Sequence, residues 1–264
     1  MVALIDRARH WIVMTTPSRR QPNIAEAQPA NASALDVMNT LPDPDWYEQV
    51  NGVEGPTVYT DPENAPVRIL GIGGTTSEKS WSLVPLDIAL DRAAAAGADV
   101  VRATVYELDL PMFRTDWKLE QYPPTLPWLL DQIRQADGII ICSPTYHGTM
   151  SGAIKNLLDM LIFLGWDKPA YLGGKPVALM AYGGMTSMGV LSGLTQVVRG
   201  LKGITVPTHI AVPERAVDRE RIEITDERVL DRIDEMVTEL MRFARQLRQP
   251  HQAPNIPPRR GGVR

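Results

Sequence analysis

The stretch Gly138-Ile-Ile-Ile-Cys-Ser-Pro-Thr-Tyr-His-Gly-Thr-Met-Ser-Gly152 holds a strand and the loop that leaves it. Gly138 to Cys142 is the most strand-like run in the chain. A short run with no polar position is what a strand buried on both faces requires. Ser143-Pro144 is expected to end it, since proline has no N–H for a ladder. Ser151 then opens an apolar helix expected over 151–164.

The same alternation continues on either side. Val67 to Ile72 reads as a buried strand leaving into Gly73-Gly74, and Val100 to Leu108 as a second strand. Pro176 to Tyr182, ending in Gly183-Gly184, is a fourth, and Ile204 to Val212 a fifth. Helical spacing fills the intervals. It runs through SWSLVPLDIALDRAAAAG (80–97), Thr125 to Ala136, Ser187 to Leu201, and Thr225 to Leu247. The last carries the stripe Val229, Ile233, Met236, Val237, Leu240 and Phe243. Strands alternating with helices predict an α/β fold: a flavodoxin-like, doubly wound five-stranded parallel sheet of order 2-1-3-4-5, helices on both faces. GIGGTTSEKS (71–80) lacks the G-x-G-x-x-G of a dinucleotide fold, and no Gly-Lys-Ser/Thr makes it a Walker loop.

Composition sets the flanks and the exclusions. Residues 1–66 carry eight prolines and no lysine, and predict an arm partly disordered or strapped on the surface through Trp46, Tyr47, Val53, Val58 and Tyr59. Residues 67–248 form the domain, and 249–264 a disordered tail. Lys plus Arg number 27 against 31 Asp plus Glu, a net charge of −4, so no basic footprint for nucleic acid is expected. A single cysteine excludes a disulfide framework, a four-cysteine zinc site and a cysteine-held iron–sulfur cluster. Histidines at 10, 147, 209 and 251 lack ligand spacing, so no metal is expected. The longest apolar stretch, Leu157 to Trp166, is broken by Asp159 and is about half a membrane span. A cytoplasmic enzyme with no membrane partner is the expectation.

In open α/β sheets ligands gather where strands end and strand order reverses, here between the first and third strands. The loop after the first strand offers hydroxyls at Thr75, Thr76, Ser77, Ser80 and Ser82 before a helix N-terminus. That combination suits a terminal phosphate, or else serves as a serine-rich helix cap. After the third strand, Tyr146 and His147 are spaced to flank a flat heterocycle, Gly148 admits an unusual backbone angle, and Thr149 adds a hydroxyl. His147 reads equally as a solvated loop residue, and Cys142 as a small buried residue packing at the strand end. The loop from Tyr182 to Gly189 is glycine-rich, and Gly189 and Gly193 have the spacing of close helix packing.

ADGIIICSPTYHGTMSGAIKNLLDML (136–161) resembles the signature of the NADPH-dependent FMN reductase family. The resemblance lies in Pro144, Tyr146, Gly148, Ile154, Lys155, Asn156 and Asp159. Leu-Asp-Leu-Pro at 108–111, Gly-Lys-Pro-Val-Ala at 174–178 and the glycines at 183–184 extend it over about 67–213. It implies non-covalent FMN, its phosphate at Thr75, Ser77, Ser80 and Ser82. The ring would lie along Pro144, Thr145, Tyr146, His147, Gly148 and Thr149, with Tyr182, Gly183 and Gly184 on its other side. It further implies hydride passing from NADPH (or NADH) to the flavin and on to a flavin, quinone or similar acceptor, in a homodimer or homotetramer. No side chain is needed as acid or base, so no catalytic residue is assigned. Two loops depart from the family: Ser77 stands in the first loop where an arginine is common, with Lys79 expected as the only cation nearby, and Thr145 and His147 stand where Glu and Asn are common. The alternatives are a flavodoxin-type one-electron carrier without NAD(P)H activity and a flavin-free interaction protein. Asn156 and Asp159 either brace the loop backbone or serve solubility or a subunit contact.

Overall fold

The computed structural model describes residues 65–248, so the expectations for the arm and the tail fall outside the described residues apart from 65 and 66. One sheet contains β1 (Arg68–Gly73), β2 (Asp99–Thr104), β3 (Gly138–Tyr146), β4 (Thr149–Met150), β5 (Pro176–Gly183), β6 (Ile204–Thr205) and β7 (Ile210–Pro213). Its order is β2-β1-β3-β5, with β6 and β7 both pairing with β5; every pair is parallel except β3 with β4. The helices are α1 (Leu83–Ala95), α2 (Val105–Leu108), α3 (Thr125–Gln135), α4 (Gly152–Asp159), α5 (Ser187–Gly200) and α6 (Glu227–Leu247). With β6 and β7 taken as one interrupted strand, this is the expected 2-1-3-4-5 order of a flavodoxin-like sheet.

Alternation builds the core. Ile139 and Ile141 of β3 point into one apolar cluster with Leu126, Leu129, Leu130 and Ile133 of α3 and Leu191 and Leu194 of α5. Ile140 and Cys142 point the other way, toward Leu86 and Leu90 of α1 and Ile233, Val237 and Leu240 of α6. Both faces are covered, so the central strand has no polar position to spare. Each fully buried Leu or Ile contributes about 1.5–3 kcal/mol relative to exposure. Leu130→Ala, at a fully buried α3 position, would cost about 2–5 kcal/mol through lost burial and the cavity left behind.

The structure corrects several boundaries. The expected strand 100–108 stops at Thr104, because that hydroxyl accepts the Glu107 N–H (3.1 Å) and donates to the Glu107 carboxylate (2.7 Å), starting α2. The strand expected to end at Cys142 continues to Tyr146, because Pro144 needs no ladder donor there and the chain folds back as a hairpin with β4. The helix expected over 151–164 ends at Asp159 and tightens into a 3-10 turn, Met160–Leu164. The fifth strand breaks around Pro207, which has no N–H, and the Glu239 carboxylate takes the Thr208 N–H at 2.8 Å. A separate hairpin of β8 (Val217–Asp218) and β9 (Glu223–Ile224) was not anticipated.

Candidate functional site

Parallel register brings the three loops to one rim. Gly73, last in β1, lies beside Cys142 of β3, and Pro144 lies beside Tyr182 of β5. At about 4.8 Å between neighbouring strands, the three exits fall within roughly 10 Å of one another. The loops at 74–82, 144–149 and 182–187 therefore share the carboxyl edge, where the helices α1, α4 and α5 begin.

In the first loop the Thr75 hydroxyl accepts the Ser77 N–H at 3.2 Å, turning the chain outward. The N–H groups of Thr76, Glu78, Lys79 and Ser80 have no hydrogen-bond partner among the described residues. Thr76 to Lys79 are exposed, and Thr75 and Ser80 half-buried. Exposed N–H groups next to hydroxyls and the N-terminus of α1 make an anion cradle. Ser82 differs from its neighbours: it is buried, its hydroxyl is 2.8 Å from that of Ser80, and its carbonyl accepts the Cys142 thiol at 3.1 Å. It braces the loop from behind. Burial, reinforced by Asp87, raises the Cys142 thiol far above its ordinary range, so it stays protonated.

The second loop is a hairpin. His147 (φ 51°) and Gly148 (φ 80°) are the two central residues of a two-residue turn between Tyr146 and Thr149, which pair across it. Positive φ at both positions matches the right-handed twist of the arms, at the cost of strain at His147. Pro144 is buried and Thr145 half-buried; Tyr146, His147 and Thr149 are exposed. Ser143 anchors the base, donating to the Pro144 carbonyl (2.8 Å) and accepting the Ser151 N–H (3.0 Å). In the third loop Tyr182 and Gly183 are buried and Gly184 exposed, with open space where a Gly184 side chain would stand. The Tyr182 ring packs in the cluster with α1 and α6, so Pro144, Gly183 and Gly184 rather than that ring border the opening.

Two features escaped sequence reading, and a third decides between alternatives that the sequence left open. Ser187 joins the second and third loops, its hydroxyl 3.1 Å from that of Thr145 and donating to the Gly184 carbonyl at 2.8 Å. Arg219, in the β8–β9 turn, stacks over Trp81 at 5.5 Å while pairing with Glu214 at 3.1 Å, so Lys79 is not the only cation beside the first loop. Asn156 accepts the Phe113 N–H (2.7 Å) and donates to the Pro111 carbonyl (2.8 Å). That settles Asn156 as a brace of loop backbone, whereas Asp159 makes an exposed ion pair with Lys155. Asn156 itself lines a cleft of about 60 Å³ with Thr76, Tyr106 and Asp109, too small for a cofactor ring. No His/Cys/Asp/Glu group among the described residues could hold a metal ion, and no described helix is long and apolar enough to cross a membrane.

The model of a family described as NADPH-dependent FMN reductase matches residues 67–217. A quinone reductase of Escherichia coli strain K12 is 32% identical over 150 residues, 53% of this chain and 76% of that protein. An FMN-dependent NADPH-azoreductase of Staphylococcus saprophyticus is 42% identical over 93 residues, 35% of this chain and 46% of that protein. Among solved structures, FerB, a flavoenzyme NAD(P)H:(acceptor) oxidoreductase of Paracoccus denitrificans, superposes with a TM-score of 0.56 at 17% identity. That superposition covers 68% of this chain and 98% of the other, and it shows the shared fold.

Proposed function

The chain belongs to the NADPH-dependent FMN reductase family, and on that premise we propose that its three rim loops hold FMN with the ring open to donor and acceptor. It is an NAD(P)H-dependent FMN oxidoreductase, taking hydride from a nicotinamide and passing electrons to a flavin, quinone or similar acceptor. The observation that carries the site assignment is the register: Gly73 beside Cys142, and Pro144 beside Tyr182.

The residues fit the group. A phosphate needs several donors at once, and the N–H groups of Thr76, Glu78, Lys79 and Ser80 stand free beside the Thr75, Ser77 and Ser80 hydroxyls. Ser82 acts through Ser80. A flat ring needs walls without bulky intrusion, and Pro144, Thr145 and the Tyr146–Thr149 hairpin supply one while Gly183 and Gly184 supply the other. Bound FMN would supply two-electron redox chemistry that no amino-acid side chain offers. The first loop would hold the phosphate and Pro144 to Thr149 the ring, with the exposed Tyr146 and His147 at the opening. No side chain is assigned proton transfer.

Exposed Met112, Met185 and Met188 at this end of the molecule support a homodimer or homotetramer, which sedimentation would check. A cytoplasmic location belongs to the same proposal, because reduced nicotinamide is the electron source; fractionation tests it. The domain extends over 67–248. The activity test is NADPH oxidation by the purified full chain with FMN and a quinone. Steady turnover that requires FMN supports the reading. Tight FMN binding with no NADPH oxidation would instead favour a one-electron carrier, and no FMN binding at micromolar concentration would overturn the site.

A further inference from the structure

The His147-Gly148 turn does not stand free above the sheet. It rests on the first turns of α5, where Gly189 brings its backbone against the Gly148 carbonyl so closely that any side chain at 189 would overlap that oxygen. One helical turn further on, a side chain at Gly193 would meet the Met150 methyl at 3.1 Å. Below the turn, the Thr145 and Ser187 hydroxyls pair at 3.1 Å, and Ser187 also holds the Gly184 carbonyl. A side chain at Gly183 would meet Thr145 Cβ at 2.7 Å. Four contacts thus tie the hairpin to α5 and the glycine loop, and none lies in the phosphate loop.

Resting on the proposed function, we infer that Ser187 and Gly189 are positioning residues that clamp the hairpin to the glycine loop and so set the width of the ring slot. Gly189 has no other evident demand for the absence of a side chain. Its φ is ordinary and its neighbours on α5 carry side chains freely, so the close approach of Gly148 is what excludes one. Ser187 is buried, so its hydroxyl serves these internal partners rather than solvent. The clamp acts on the ring and not on the phosphate.

The test uses the full chain as wild type, Gly189→Ala, Ser187→Ala, Ser187→Thr and Gly200→Ala. Gly200 ends the same helix with open space around it, and serves as the control. FMN and riboflavin are titrated by quenching of flavin fluorescence. Gly189→Ala should weaken both by the same factor, about tenfold or more, and shift the bound-flavin absorption band, since a displacement near 1 Å suffices to misplace a ligand. Ser187→Ala should weaken both about threefold, with Ser187→Thr restoring affinity. Gly200→Ala should bind both flavins as wild type does. In the flavin-free protein, amide exchange over 145–150 should quicken in Ser187→Ala with the unfolding midpoint little changed, a readout that stands even if Gly189→Ala fails to fold. Unchanged exchange and affinity in Ser187→Ala, or a loss confined to FMN and absent for riboflavin, would overturn the clamp. Wild type that binds neither flavin while Ser187→Ala still exchanges faster would overturn the cofactor reading and leave the clamp standing.

Discussion

At the amino rim of the sheet the charged groups are buried or half-buried and paired; at the carboxyl rim the polar groups are exposed and unspent. The Asp137 side chain, 2% exposed, accepts the Arg68 N–H at 2.8 Å and stands 3.2 Å from Arg248 Nε. Lys175 donates to the carbonyls of Arg134 (3.1 Å) and Ala136 (2.5 Å), where α3 ends. Arg134 pairs with Asp167 at 2.9 Å. At the other rim, Ser77, Tyr146, His147, Thr149 and Gly184 face solvent. The parallel architecture produces this division. Helices between parallel strands end with free carbonyls at the amino rim, which call for cations, and begin with free N–H groups at the carboxyl rim, which attract anions. The amino rim is closed by its own side chains, and the carboxyl rim keeps its donors exposed, which is why the proposed site lies there.

If that contrast holds, the largest effect belongs to the amino rim and is one of stability. Asp137→Ala removes the acceptor of the Arg68 N–H and the buried carboxylate paired with Arg248, whose guanidinium keeps the Ala65 and Pro66 carbonyls, and should lower unfolding free energy by about 3 kcal/mol. Denaturant titration measures it, flavin affinity of the folded protein should stay within about twofold, and a loss below 1 kcal/mol would break the contrast. Gly183→Ala drives a methyl into Thr145 and should cost about 1–3 kcal/mol together with flavin affinity, since this side of the rim couples packing to binding.

Burial holds the Lys175 ammonium down to about 8 against an ordinary value of 10.5, with Asp137 and Asp167 opposing the shift. Between those values the unfolded chain binds the proton that the folded chain has released, so stability rises with pH across that window. The rise should be roughly 2 kcal/mol between pH 8 and 10 and should vanish in Lys175→Met, read as the difference between the two stability profiles. The smallest effect sharpens the other side. Ser77→Arg adds a cation to the phosphate loop and should tighten FMN about fivefold, less so at high salt, while leaving riboflavin binding and stability unchanged. Equal tightening of riboflavin would show that the cation does not address the phosphate.

Much of this was legible in the chain because its signals are local. Gly138 to Cys142 is apolar on successive residues, which suits a doubly covered strand of that length, and the alternation of such runs with helical stripes pointed to the sheet order. The site loops followed from strand polarity. Errors clustered where a side chain redirects the backbone. Thr104 and Glu107 turn an apolar run into a helix start, and Val100 to Leu108 carries no periodicity that separates the two outcomes. Pro144 reads as a stop, yet proline in a strand is excluded only where an N–H is needed. Ser82 looked like the other loop serines; that it faces inward depends on Cys142, sixty residues away.

What the sequence determined by itself is the class of fold, the three loops that share a rim, and the family. Those rest on periodicity, strand direction and short motifs, all of which act within a few residues. Tertiary structure alone decided that Arg219 lies over Trp81, that Asn156 holds the backbone at 111–113, and that Gly189 and Ser187 carry the hairpin. Each is a contact between segments far apart in the chain, fixed by how helices pack across the sheet; the spacing of Gly189 and Gly193 and the amide at Asn156 mark residues able to make such contacts, and only the packing names their partners.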